Sequence, residues 1–156
     1  MSVFCVRPAT VGDLAGVIRL ERATAEAPHW SEAEYAAAIE GGGDYVRRCL
    51  FVAVADDGVA GFAVGKVAGD LAELESVAVD LSLRRGGVGR ALCGAVIAWC
   101  QQERAVAVEL EVRLGSHGAI GLYRGLGFVP VGVRPRYYSE PVDDAVLMRL
   151  DLSKSA

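Results

Sequence analysis

Arg84-Arg85-Gly86-Gly87-Val88-Gly89-Arg90-Ala91-Leu92 is the stretch on which the reading of this 156-residue chain turns. It lies between two periodic segments. Before it, Ala72 to Val79 reads as a strand with Leu74, Val77 and Val79 as its apolar positions. After it, Val88, Leu92, Val96 and Trp99, with Ala91 and Ala95, line one face of an amphipathic helix. Glycines at such a junction let the backbone approach a ligand and adopt positive φ. The N–H groups that open a helix, together with its dipole, favour a phosphate or pyrophosphate, and arginines beside them add charge-assisted contacts. A tight turn carrying solvated arginines is the plain alternative. Two familiar phosphate loops do not fit. A dinucleotide fingerprint needs glycine where Leu92 stands, and a Walker loop needs more than Gly65-Lys66-Val67 supplies.

Upstream, Val3 to Val6 reads as a short strand ended by Pro8-Ala9-Thr10. Thr10 then caps a helix with Asp13 at its third position and an apolar stripe of Val11, Leu14, Val17, Ile18 and Ala25. Ala27-Pro28-His29-Trp30 breaks that helix. Ser31 with Glu34 forms a capping box for a second one, ending at Gly41-Gly42-Gly43. Leu50 to Ala55, Asp56-Asp57-Gly58 and Val59 to Val67 read as a hairpin. Downstream, Val106 to Val112 is a strand with Glu109 and Glu111 on one face and Leu110 and Val112 on the other. A short helix, Gly118 to Leu126, is capped by Gly127. The chain closes with a strand from Phe128 to Val133, a polar loop from Arg134 to Val142 and a strand from Ala145 to Leu152.

The pattern is mixed α/β in one domain spanning 1–156, long enough to bury a core without disulfides or a structural metal. Apolar residues make up 53% and charged residues 23%, which excludes a disordered or collagen-like chain. The net charge of −4 and the lack of a basic stripe argue against nucleic acid as a partner. No apolar run is long enough to span a membrane, and the N-terminus lacks the pattern of a signal peptide. Cys5, Cys49, Cys93 and Cys100 form no CxxC pair and lie in apolar runs, where free cysteine acts as a small hydrophobe. No metal site and a reduced, cytoplasmic setting are expected.

The arrangement Arg84-x-x-Gly87-x-Gly89 after a strand resembles the pyrophosphate loop of GNAT-family acyl-CoA N-acyltransferases. Leu110-Glu111-Val112-Arg113 and Ala119-Ile120-Gly121-Leu122-Tyr123-Arg124-Gly125-Leu126-Gly127-Phe128 resemble the second half of the family's RimI-type branch. Those enzymes acetylate the N-termini of peptides and ribosomal proteins. Trp30-Ser31-Glu32 is similar to the branch's Pro-Trp-Ser segment, and Tyr137-Tyr138 with Asp144-Ala145 to its Tyr-Tyr…Asp-Ala tail. The resemblance runs in order over nearly the whole chain. It implies a GNAT fold, a mostly antiparallel sheet of about seven strands flanked by about four helices.

The resemblance also implies site residues. Acetyl-CoA would bind on Val77, Ala78, Val79, Arg84, Arg85, Gly86, Gly87, Val88, Gly89 and Arg90, the backbone amides of Ala78 and Val79 holding pantetheine and polarising the thioester carbonyl. Ser116 stands where many members carry an asparagine that binds CoA, with His117 beside it; a hydroxyl keeps one hydrogen bond and loses the amide geometry. Pro28-His29-Trp30 interrupts the family's Pro-Trp pair. Glu111 is the implied general base, with Glu109 in reserve, and Tyr123 the implied acid. Trp30, Tyr137, Tyr138 and Asp144 would line an acceptor groove or, alternatively, pack on their own domain.

Acyl transfer to an amine requires the neutral nitrogen. At pH 7 deprotonation costs about 1 kcal/mol for an α-amine and about 4.6 kcal/mol for lysine, which favours an N-terminal acceptor. A protein or peptide N-terminus, such as that of a ribosomal protein, is the expected partner. The runner-up readings are acetylation of a small amine, which the acidic charge would suit, and a non-catalytic acyl-CoA sensor, which has no need of both Glu111 and Tyr123.

Overall fold

The computed structural model describes residues 3–24, 30–56, 58–83 and 86–152. Among them a seven-stranded sheet is built from β1 (Cys5–Pro8), β2 (Val46–Ala55), β3 (Gly58–Ala68), β4 (Leu71–Val79), β5 (Ala107–Arg113), β6 (Val129–Ser139) and β7 (Val142–Asp151). Four α-helices flank it: α1 (Leu14–Arg22), α2 (Glu32–Glu40), α3 (Val88–Gln102) and α4 (His117–Gly125). The strand order is β1-β2-β3-β4-β5-β7-β6. Every neighbouring pair is antiparallel except β4 with β5, which α3 joins as a parallel crossover. This is the architecture the resemblance implied.

Each face of the sheet buries its own core. Leu50, Val52, Phe62, Val64 and Ala78 meet Leu14, Val17 and Leu20 of α1 and Tyr35 and Ala38 of α2. On the other face Ala63, Val67, Leu74, Val108, Leu110 and Met148 pack on α3. Alternation in β2, β3 and β5 produces this division, since successive side chains leave opposite faces. β4 departs from it at one point. Ser76 pairs with Val64 and Leu74 with the adjacent Gly65, so Glu75 is an extra residue in the strand. This β-bulge brings Leu74, Val77 and Val79 onto the α3 side together, although strict alternation would separate them.

Several expectations need correction. Val11 lies in a 3-10 turn, Val11–Asp13, and is exposed; Asp13 accepts hydrogen bonds from the Thr10 N–H (2.7 Å) and hydroxyl (3.2 Å), so the turn is capped ahead of α1. Ala25 and His29 lie outside the described residues. On α3, Cys93 and Cys100 are wholly buried with Val88, Leu92 and Val96, while Trp99 is half-buried. Burial pushes the thiols of Cys49, Cys93 and Cys100 up to about 12, which suits core hydrophobes. The stretch from Arg134 to Ser139 continues β6 instead of forming a loop, pairing Arg134 with Ala145 and Tyr138 with Asp143. Its polar composition reflects an exposed edge strand, and Pro130 and Pro135 stand at or within the two register shifts.

Candidate active site

β4 and β5 run side by side only from Leu71/Ala107 to Glu73/Glu109, and their pairing stops there. The strands continue to Val79 and Arg113, so an opening lies between them, bounded on one side by the end of β4 and the start of α3. Asp80 N–H donates to the Ala60 carbonyl (2.8 Å), and Ala78 pairs with Phe62 in the same register. Antiparallel alternation therefore points the main-chain groups of Ala78 at β3 and those of Val77 and Val79 toward β5, so the Ala78 amide expected to hold pantetheine is turned into the sheet instead.

Beyond β4, the chain turns through Leu81–Leu83 and reaches α3 at Gly87, its N-cap, with φ +88. Only glycine adopts that conformation without strain. Gly86 and Gly87 are exposed, and the N–H groups of Val88, Gly89 and Arg90 head a 15-residue helix whose ladder offers them no partner. A Cβ on Gly89 would come within 3.3 Å of Leu122 Cδ2, so glycine here lets α3 close on α4. These groups fit a pyrophosphate. Arg84 and Arg85 lie outside the described residues.

Glu111 projects from β5 on the face away from Val112 and Leu110. Its Oε2 is buried and accepts no hydrogen bond. Arg134 Nε stands 2.8 Å from that oxygen, an ion pair whose N–H is not aligned for one. The Glu111 carboxylate also raises the phenol of Tyr137, by hydrogen bonding and then by charge, and after burial it is the main influence raising that of Tyr138. The two tyrosines meet edge to face at 5.1 Å, with Arg113 over the Tyr138 ring at 4.4 Å and Arg134 over Tyr137 at 5.7 Å.

Glu109, the reserve base, is differently placed: its Oε2 accepts a hydrogen bond from Arg149 at 2.8 Å. It belongs to a charged row that crosses the sheet through Arg48, Lys66, Glu73, Glu109 and Arg149. Sequence reasoning missed Glu73. Burial, then the charges of Glu75 and Glu111, hold its carboxyl above the usual range. The available signal was the Glu73/Glu75 spacing on β4, which matches Glu109/Glu111 on β5.

Tyr123 sits on α4, its ring edge-on to Phe128 at 5.9 Å. Burial pushes its phenol well above the ordinary range, with Cys93 and Tyr138 adding to the shift. Tyr138 thus adds slightly to the shift of Tyr123 and is itself raised by the charge of Glu111. Ser116 is the N-cap of α4, but its hydroxyl makes no capping bond to the helix.

Trp30 is half-buried, tilted on Tyr35 at 5.4 Å with the Arg48 guanidinium 6.0 Å over its ring. Its N–H donates to Glu21 Oε2 (2.6 Å), and its carbonyl accepts from Arg22 (3.3 Å). Glu21 is wholly buried and also accepts from the Tyr35 hydroxyl (2.9 Å). Arg48 continues to Glu75 at 2.9 Å, which links the Trp30 segment to β4. Asp144 Oδ1 accepts the N–H of Arg136, a residue at φ +53 in the irregular part of β6, so this carboxylate shapes the strand that carries Tyr137 and Tyr138. A cavity of about 390 Å³ lined by Arg19, Val59 and Ser82, among others, takes in none of these residues. No cluster of potential metal ligands occurs among the described residues.

Comparison with known proteins identifies the family. The profile of the Acetyltransferase (GNAT) family matches residues 14–128. The [ribosomal protein bS18]-alanine N-acetyltransferase of Escherichia coli K12 is 33% identical over 144 residues, covering 90% of this chain and 93% of that protein. Its Salmonella typhimurium counterpart is 39% identical over 101 residues, 64% of this chain and 68% of that one. The crystal structure of the Escherichia coli ribosomal-protein-S18-alanine N-acetyltransferase superposes with a TM-score of 0.81 at 29% identity, covering 99% of this chain and 97% of that one. The chain therefore belongs to the GNAT family, as an N-acetyltransferase that draws on acetyl-CoA.

Proposed function

We propose that this chain, acting as a single cytoplasmic domain, acetylates the α-amine of a protein or peptide N-terminus. The names of its relatives make the N-terminal alanine of a ribosomal protein the first acceptor to test. The observation that carries the reading is the Glu111 carboxylate beside the β4–β5 opening, with a buried oxygen that accepts no hydrogen bond and two tyrosines alongside.

Acetyl-CoA, when bound, supplies an acetyl thioester. Gly86 to Arg90 at the head of α3, with Arg84 and Arg85, hold its pyrophosphate. Val77 and Val79 present main-chain groups to the pantetheine and the thioester carbonyl, and Ser116 offers a hydroxyl. Glu111 takes the proton that the amine nitrogen loses, and Tyr137, Tyr138 and Trp30 wall the acceptor. Tyr123 keeps its proton at neutral pH. Even at ordinary values, handing that proton to a free thiolate is uphill by about 2 kcal/mol, and burial makes it costlier, so Tyr123 donates as the carbon–sulfur bond breaks or only hydrogen-bonds the sulfur.

Glu73, Glu75, Glu109 and Glu111 near one opening also suit a small polycationic amine, the second reading. Acetyl-CoA consumption with an N-terminal peptide panel beside a small-amine panel separates the two. Preferential turnover of peptides is expected; turnover confined to small amines overturns the proposal.

A further inference from the structure

We propose that Arg134 is a placeholder: in the free enzyme its guanidinium occupies the position at Glu111 that the acceptor's ammonium takes on binding, and it swings aside to admit the acceptor. The inference rests on the reading of Glu111 as the residue that receives the amine.

Three other arginine contacts near the site show what a structural pairing looks like here. Arg48 Nε hydrogen-bonds Glu75 at 2.9 Å, while Arg149 hydrogen-bonds Glu109 at 2.8 Å and Asp151 at 3.0 Å. Arg134 comes equally close to Glu111 Oε2, yet its N–H is misaligned and the oxygen stays without a hydrogen bond. That oxygen is nevertheless buried, and the Arg134 side chain is 59% exposed against 26% for Glu111. An exposed cation thus covers a sheltered carboxylate without satisfying it. A carboxylate oxygen in that state lacks a charge-assisted donor, and an ammonium brings both the charge and N–H groups free to align.

The strand permits the movement. Arg134 sits on β6, the edge of the sheet, and directly precedes the register shift that runs to Tyr138. Its other contact is the exposed Tyr137 ring, over which the guanidinium is loosely stacked. Exchange of one cation for another leaves Glu111 paired throughout. The acceptor accordingly arrives charged: after docking, one ammonium proton passes through Glu111 to solvent, and the second passes to Glu111 as the carbon–nitrogen bond forms and the thiolate leaves.

The test is steady-state kinetics of Arg134→Ala and Arg134→Gln with an N-terminal peptide. Removing the placeholder frees the site, so the peptide KM should fall by roughly threefold to tenfold at nearly unchanged kcat and acetyl-CoA KM. Millimolar methylguanidinium should inhibit both variants competitively against the peptide and spare the wild type, because it refills the vacated position. A rise in peptide KM in both variants, or equal indifference of wild type and variants to methylguanidinium, overturns the placeholder role and leaves the acceptor class standing. A wild-type enzyme that acetylates no peptide overturns the acceptor class first, and this inference with it.

Discussion

Glu73 on β4 and Glu109 on β5 are the last two residues at which those parallel strands pair. The carboxylates behind and beyond that point have different fates. Arg149 ties Glu109 by a hydrogen bond, burial holds the Glu73 carboxyl above its usual range, and Glu111, two residues further along β5, keeps a buried oxygen that accepts no hydrogen bond. One strand thus holds, on the same face, a carboxylate tied by an arginine hydrogen bond and one whose buried oxygen accepts none.

Replacing Glu111 with Gln removes the proton acceptor and keeps the shape. We expect kcat to fall by about 10²–10⁴-fold, the usual contribution of a positioned base, with acetyl-CoA affinity nearly intact. Turnover assays together with calorimetric titration check this. Equal losses in both would take Glu111 out of the base role.

At Gly87 a Cβ would meet no atom of the described residues within 4 Å, so the obstacle there is the backbone at φ +88. Gly87→Val should cost about 1–2 kcal/mol of local strain and abolish acetyl-CoA binding with little loss of folding. Thermal melts with and without acetyl-CoA give the readout; normal ligand stabilisation in the variant would refute the pyrophosphate assignment.

Glu73 predicts a pH dependence. Its carboxyl is raised in the folded state, chiefly by burial, so the folded protein holds the proton more tightly than the unfolded chain does. Ionising it therefore costs stability. That penalty is absent below the ordinary value near 4.5 and grows as pH rises through the folded value. Glu73→Gln should raise Tm at pH 7, on the order of 1–2 °C after allowance for solvent screening, and the difference should vanish near pH 4. A gain that persists at pH 4 would show another cause.

Glu21 organises the Trp30 segment from within the core. Glu21→Ala leaves the Tyr35 hydroxyl and the Trp30 N–H without this acceptor and should cost about 2–4 kcal/mol. Chemical denaturation measures the loss. In a Trp99→Phe background, the Trp30 emission should shift to longer wavelength as the segment loosens; an unchanged spectrum would mean the ring is held by Tyr35 and Arg48 alone.

Local chemistry accounts for what the sequence made legible. Ser31 and Glu34 form the reciprocal cap expected of them, Gly41 ends α2 at φ +100, and Gly87 takes the positive φ its place before α3 suggests. These depend on near neighbours in the chain. Features set by distant partners were harder to read. Arg134 to Ser139 looks like a loop because an edge strand solvates most of its side chains, and only pairing with β7 reveals it. Cys93 and Cys100 outrank Trp99 in the core because α3 is rotated to fit the sheet. Glu73 becomes a site residue only once register sets it beside Glu109. Glu111 and Tyr123 were named from motifs, yet the arginine beside Glu111 and the tyrosines its charge raises are products of the tertiary fold.

The extra residue at Glu75 means that β4 behaves as two short strands of opposite handedness of address. Up to Leu74 its odd-numbered side chains look away from α3; from Ser76 onward the odd-numbered ones look toward it. Removing a single amino acid there would roll the last four positions over, driving Ala78 into the layer now filled by Val77 and Val79 and turning the outward main-chain donors back into the sheet. The length of this strand, counted to the residue, therefore decides which of its main-chain groups face β5 and which are spent on β3.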